Sequence, residues 1–331
     1  MGNKEAIELC LEENEFFCPE VLDLFYIFSK LSNEYLTTAQ NYFDEDIEIE
    51  YEEMHINETI SLVREFLNNI DKKYLDIFNK SLNDGTFDMF LPEDDLVERP
   101  EEPITTPKPQ SNINIPINYT IEDGAIIIHE FFHFLNETEE FSGIRDIFTE
   151  MISIYFEFRY YEFLIQKGYS SDVFYKNVYE TIDNSLNCAY NLCSTSSILD
   201  IYHNTGDITL ENIKLLDKNR NLYKENADSL IEYYNSEDFD EDILEFRIDV
   251  SYVVGTLLTF FALKHPKIYD IKMKHINENV NNISLKDILK ILDTKIEDYN
   301  VWIKDSIKNL EKAQGEIYEQ NYMYSRTYRS R

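Results

Sequence analysis

Proline placement constrains this chain more than any other feature of its sequence. Six of its eight prolines fall between Pro92 and Pro116, and the whole chain holds only eight glycines. Proline lacks a backbone N–H and clashes with the preceding helical turn, so no helix runs through such a stretch. Elsewhere little interrupts helix formation. The chain therefore reads as mainly α: an N-terminal helical region over residues 1–90, a Pro-rich acidic linker or loop over 91–110, a larger helical unit over 111–325, and a basic tail over 326–331. With 331 residues, 43% of them hydrophobic and 14% aromatic, it has the length and composition for a sizeable core, arranged as one large domain or two small ones.

Periodicity places the elements. In PEVLDLFYIFSKLSNEYL, starting at Pro19, apolar residues recur at three- and four-residue steps, as on one helix face. A second helix is expected from Asn57 to Leu82, capped by Asn57 and stopped by Asn83-Asp84-Gly85. In SNINIPINYT, Ile113, Ile115 and Ile117 alternate with polar neighbours, the period of a strand with one buried face. Pro116 within it predicts an edge strand, since proline cannot donate to a ladder. Helices then resume over Thr120–Asn136 and Ile144–Gln166, the latter ended by Lys167-Gly168. Further helices are expected at about 171–191, 219–235, 240–265 and 295–322.

Charge narrows the partners. The chain carries 64 acidic against 30 basic residues, a net charge of −34. Such a surface repels nucleic-acid phosphates and anionic membranes, and attracts cations or basic peptides. The longest apolar run, Val250 to Leu263, is too short to span a bilayer. The start, MGNKEAIELCLEENEFF, lacks the apolar core of a signal peptide. A cytoplasmic location is expected, with non-classical export left open. Cys10, Cys18, Cys188 and Cys193 do not have zinc-ligand spacing and read as free thiols in a reducing compartment.

Chemistry concentrates in NYTIEDGAIIIHEFFHFLN, residues Asn118–Asn136. On a helix, positions i and i+4 share a face, so His129 and His133 can point two imidazoles at one ion. Glu130, beside the first of them, is placed to act as a general base. The competing reading is two histidines merely satisfied within the core. A catalytic zinc needs a third protein ligand and an open position. The next helix, IRDIFTEMISIYFEFRYYEF, offers Glu150. Glu157 lies seven residues further, nearly two turns, and shares its face, with Ser153 close by. Carboxylates on so apolar a helix require partners. A cation serves one, and the free N–H of a ligand histidine serves the other.

These residues resemble the active-site segments of the oligoendopeptidase F and thimet oligopeptidase family. NYTIEDGAIIIHEFFHFLN looks like that family's strand end, acidic helix start and H-E-x-G-H helix. EMISIYFE (Glu150–Glu157) is similar to its E-x-P-S-x-x-x-E signature. Tyr252-Val-Val-Gly255 resembles its Y-x-x-G segment. The matches keep the family's order and span roughly residues 112–265. The resemblance implies a gluzincin-like helical catalytic domain over 111–325, with a small β-sheet whose edge strand precedes the HExxH helix. It implies a zinc-dependent endopeptidase with one Zn2+ per chain, acting on peptide or unfolded-protein substrates. His129, His133 and Glu150 would hold the metal, Glu130 would activate water, Glu157 would brace a ligand histidine, and Tyr252 would stabilise the oxyanion. Tyr202 is an alternative for that last role.

The sequence departs from the family at Phe132, where a glycine is usual, and at Ile152, where a proline is. The histidine that commonly precedes the tyrosine segment is missing, and the front half is short. Three other readings stay open: a peptidase-like binding protein without turnover, a zinc hydrolase acting on non-peptides, and a metalloprotease with one narrow protein target. The oligomeric state is open too.

Overall fold

A computed structural model describes residues 2–12, 52–90, 103–105, 112–136, 143–214, 227–237, 239–263 and 266–293. Helices carry nearly all of the regular structure among them. The stretch from Pro19 and the expected helix at 295–322 lie outside the described residues.

The front of the chain holds α1 (Asn3–Glu12), α2 (Ile56–Ile70) and α3 (Lys72–Asn83). One helix from Asn57 to Leu82 was the expectation; the structure has two. The interruption is Asp71, whose backbone is extended (φ −163°, ψ 130°) and whose carboxylate accepts the Lys73 N–H at 2.8 Å. An aspartate whose side chain takes up an orphan donor starts a new helix within a continuous apolar pattern. The cap of α2 is likewise His55, not Asn57: its Nδ1 accepts the Asn57 N–H at 3.2 Å. The two helices bury Val63, Phe66 and Leu67, then Tyr74 and Phe78.

Three short strands follow: β1 (Phe87–Phe90), β2 (Ile104–Thr105) and β3 (Ile113–Pro116), in the order β1-β3-β2. The alternation read from the sequence is present, with Ile113 and Ile115 fully buried. The edge position is not, because β3 is the central strand, parallel to β1 and antiparallel to β2. Pro116 is tolerated there for a geometric reason. Ile113 and Ile117 donate their N–H groups to Thr86 and Phe90 on the β1 side, so by alternation the nitrogen of Pro116 faces the β2 side. There β2 pairs only with Ile113 and Asn114 and stops short of the proline. A peptide therefore cannot add to β3 as a new edge partner.

The link from β3 into the next helix is braced from within. Asp123 is fully buried, and its carboxylate accepts the N–H groups of Asn118 at 3.1 Å and Thr120 at 3.2 Å. Tyr119 between them adopts φ 57° and accepts the Met54 N–H at 2.8 Å. This fixes the entry into α4 (Asp123–Asn136), which packs along α5 (Gly143–Lys167). Both helices lie close to their expected spans, and Gly168 ends α5 at φ 100°.

The remaining helices complete the described fold. They are α6 (Asp172–Thr205), α7 (Leu210–Ile213), α8 (Ala227–Tyr234), α9 (Phe239–Leu263), α10 (Pro266–Asn279) and, after a 3-10 turn, α11 (Leu285–Leu292). Helix α6 extends well past the expected residue 191, to Gly206 in a left-handed cap. Helix α5 is the hub, lying against α4 and α9. Its Ile147, Phe148, Met151, Ile152, Tyr155 and Phe156 are completely buried. On another flank Arg159 donates to Asp270 of α10 through Nε at 2.8 Å and Nη2 at 3.0 Å, and the Tyr155 hydroxyl donates to the same carboxylate at 2.8 Å. No helix among the described residues is long and apolar enough to cross a membrane.

Candidate metal centre

The sequence of α4 decides which way its histidines point. Ile127, Ile128, Phe131 and Phe132 are fully buried, so the helix turns these into the core. Phe132 stacks on Phe156 of α5, with ring centroids 4.1 Å apart and planes within 10°. A large ring thus fills the α4–α5 contact at the position where the resembled family has glycine. His129 and His133 occupy the remaining side of the same helix, with side chains 20% and 16% exposed. Water can reach them, yet they are largely enclosed.

Three ligand-type side chains converge there. The Nε2 atoms of His129 and His133 lie 3.0 Å apart. Glu150 of α5 places Oε1 3.4 Å from His133 Nε2 and Oε2 3.8 Å from His129 Nε2. One ligand atom from each of the three residues falls within 4.8 Å of the others, close enough to hold one metal ion. Ligands about 2.0–2.1 Å from a tetrahedral zinc are separated by about 3.3 Å. The closest approaches, 3.0, 3.4 and 3.8 Å, the last two from different Glu150 oxygens, bracket that value, so the cluster is near the size such an ion needs.

Glu157 sets the first histidine. Its Oε2 lies 2.9 Å from His129 Nδ1, which donates to it. With its proton on Nδ1, the ring presents Nε2 to His133 and Glu150. Helical spacing accounts for the division of labour: Glu150 and Glu157 sit on one face of α5, one facing the shared Nε2 atoms and the other facing the far edge of the His129 ring.

The carboxylates around His129 favour its protonated form. Burial alone pulls the His129 pKa down, but the hydrogen bond to Glu157 and the charges of Glu157, Glu150 and Glu130 push it up to about 9. A protonated His129 donates to Glu157 from Nδ1 and to His133 from Nε2, which explains how two ring nitrogens tolerate a 3.0 Å approach. Burial raises the Glu150 pKa, and the nearby imidazoles of His133 and His129 outweigh it, leaving the carboxyl lowered.

The other residues singled out by sequence are placed as follows. Glu130 is buried at 8% exposure, next in the chain to His129. Tyr252 of α9 lies within the field of the centre: burial, then the charges of Glu157 and Glu150, push its hydroxyl up to about 12, against a hydrogen bond with Thr181 of α6. Tyr202 is engaged elsewhere, donating to Glu8 of α1 at 2.7 Å. Ser153 is fully buried with its hydroxyl unpaired. His55 caps α2, and His203 and His275 are exposed, so none of these three joins the cluster. Sequence reasoning missed Thr181, which carries no motif signal. It also gave Gly255 no packing role, although a lone glycine in a long apolar helix is a signal of close backbone approach.

No protein-family model matches the chain, and neither a curated protein nor a solved structure does. The functional reading therefore stands on the cluster and on the motif residues that build it.

Proposed function

We propose that this chain is a zinc-dependent endopeptidase of the gluzincin type, hydrolysing peptide bonds of unstructured peptides. The observation that carries the reading is the convergence of His129, His133 and Glu150 on one point, with Glu157 fixing the His129 tautomer. Two imidazoles and one carboxylate suit zinc better than the harder divalent ions, which prefer all-oxygen sets. Zinc bound there would supply Lewis acidity toward a scissile carbonyl and a lowered pKa for a water molecule.

The chain's own groups do the rest. Glu130 adjoins the first ligand, where its carboxylate takes a proton from the attacking water and then delivers it to the leaving amine. Glu157 holds His129 in the ligating tautomer throughout. Tyr252 offers a phenol whose high pKa keeps it protonated at neutral pH, as a donor to developing negative charge on the substrate oxygen must be. The strongly acidic surface favours basic or neutral peptides over polyanions.

A second reading, a metal-holding binding protein without turnover, draws support from one observation. None of the other described histidines joins the cluster beside Tyr252, whereas the resembled enzymes have one near that segment. A single experiment separates the two: a mixed peptide library incubated with the zinc-loaded protein and with its Glu130→Gln variant, read by mass spectrometry. The peptidase reading predicts cuts that fall by about 10²–10⁴-fold in the variant while zinc stays bound. Equal cutting by both proteins would refute the role of Glu130, and no cutting by either would favour the binding protein.

A further inference from the structure

Gly255 sits in the apolar later part of the 25-residue helix α9, where an isolated glycine weakens the helix unless packing requires it. Packing requires it here. A Cβ built on Gly255 would lie 2.7 Å from Cβ of Glu150, 2.9 Å from the Ile147 carbonyl oxygen and 3.0 Å from the Met151 nitrogen. Two of these three atoms are α5 backbone and the third is fixed to it, so none can swing aside. One turn further along α9, the Thr259 hydroxyl donates to the Met151 carbonyl at 2.7 Å, sharing its proton with the Gly255 carbonyl at 3.0 Å. Gly255 and Thr259 thus hold the α5 backbone at the nitrogen and the carbonyl of Met151, next in the chain to Glu150, which supplies the carboxylate of the cluster.

We propose that Gly255 and Thr259 are positioning residues for the metal: they hold the α5 backbone at the depth that brings the Glu150 carboxylate into reach of His129 and His133. The inference rests on the zinc reading of that cluster. Metal–ligand distances tolerate about 0.2 Å of error. Any side chain at position 255 must open the contact with Glu150 from 2.7 Å to beyond 3.0 Å, and to 3.4 Å for ordinary packing. Even the smaller shift exceeds the tolerance. It falls on Glu150, while the two histidines are held by α4, a separate helix.

The test is zinc affinity, measured by competition with a chromophoric chelator, for Gly255→Ala in two backgrounds. Against the natural Glu150, the substitution is expected to weaken zinc binding at least tenfold and to alter the visible spectrum of the cobalt-loaded protein. Against Glu150→Ala, which keeps the Cβ and the clash but leaves two imidazoles as a weaker site titrated at higher zinc, it is expected to change affinity less than twofold. Thr259→Val, a milder change that preserves volume, should show the same dependence on Glu150 with a smaller loss, and it carries the test if Gly255→Ala does not fold. Equal losses in both backgrounds would show general packing and overturn the proposal, as would unchanged affinity in both variants. Failure of the unaltered protein to bind zinc would remove the zinc reading first, and this proposal with it.

Discussion

Helix α5 carries two clusters of charged side chains, and they are built on opposite principles. At one, Arg159 places two N–H groups on Asp270, pairs with Glu162 on its own helix, and Tyr155 donates to the same Asp270. Donors and acceptors there find each other within the chain. At the other, two imidazole nitrogens and a carboxylate face one point, and the surrounding carboxylates raise the His129 pKa. The first cluster joins α10 to α5. The second is an excess of acceptors that a divalent cation would complete. The contrast teaches that burial of charge does not by itself single out a site; at the second cluster it is the convergence of two imidazoles and a carboxylate on one point that does.

That contrast can be broken most severely at the closed cluster. Asp270→Asn removes the charge that Arg159 and Tyr155 share, and stability should fall by on the order of 3 kcal/mol. Zinc affinity should stay unchanged, because α10 supplies none of the converging atoms. Chemical denaturation together with a zinc titration checks both parts. Metal binding lost along with stability would mean that the two clusters are not independent.

Glu157→Gln sharpens the other side. A glutamine can accept from Nδ1 without the charge that favours it, so zinc affinity should fall by about 10–100-fold. Stability of the metal-free protein should change much less than in Asp270→Asn. Titration of the variant with zinc reads the loss directly.

The remaining test is in pH. The His129 pKa is raised in the folded, metal-free protein to about 9, against about 6.5 in an unfolded chain. Its contribution to stability is therefore complete below pH 6.5 and is lost as pH rises through 9. Thermal melts of the metal-free protein should decline across that window. Those of the zinc-loaded protein should not decline by this route, because the ion replaces the proton. Parallel slopes for the two forms would argue against a shared position for proton and metal.

How much of this was legible in the sequence varies with the range of the interactions. The HEFFH helix and the helix bearing Glu150 and Glu157 are visible because periods of 3.6 residues and i,i+4 spacing are local properties. The centrality of β3 was not. Its parallel partner is FDMF at Phe87–Phe90 and its antiparallel partner is a two-residue strand inside the Pro-rich stretch, and neither announces a pairing. Pro116 gave an edge signal that was physically sound but incomplete: the nitrogen does lack a partner strand, because β2 ends before it. The break at Asp71 shows the same limit, since the apolar pattern runs through it and only the capping geometry reveals two helices. Thr181 and Gly255 act on residues far away in the chain, across helix contacts that no local pattern encodes.

The central claim is that His129, His133 and Glu150 take one zinc ion. Titrating the metal-free protein with zinc, with thermal stability and bound metal read together, tests it most directly. One ion per chain is expected, with stabilisation of about 2.7 kcal/mol once free zinc exceeds the dissociation constant a hundredfold. Both signals should vanish in His129→Ala and His133→Ala. Zinc bound equally by those variants, or no zinc bound by the unaltered chain, would contradict the account.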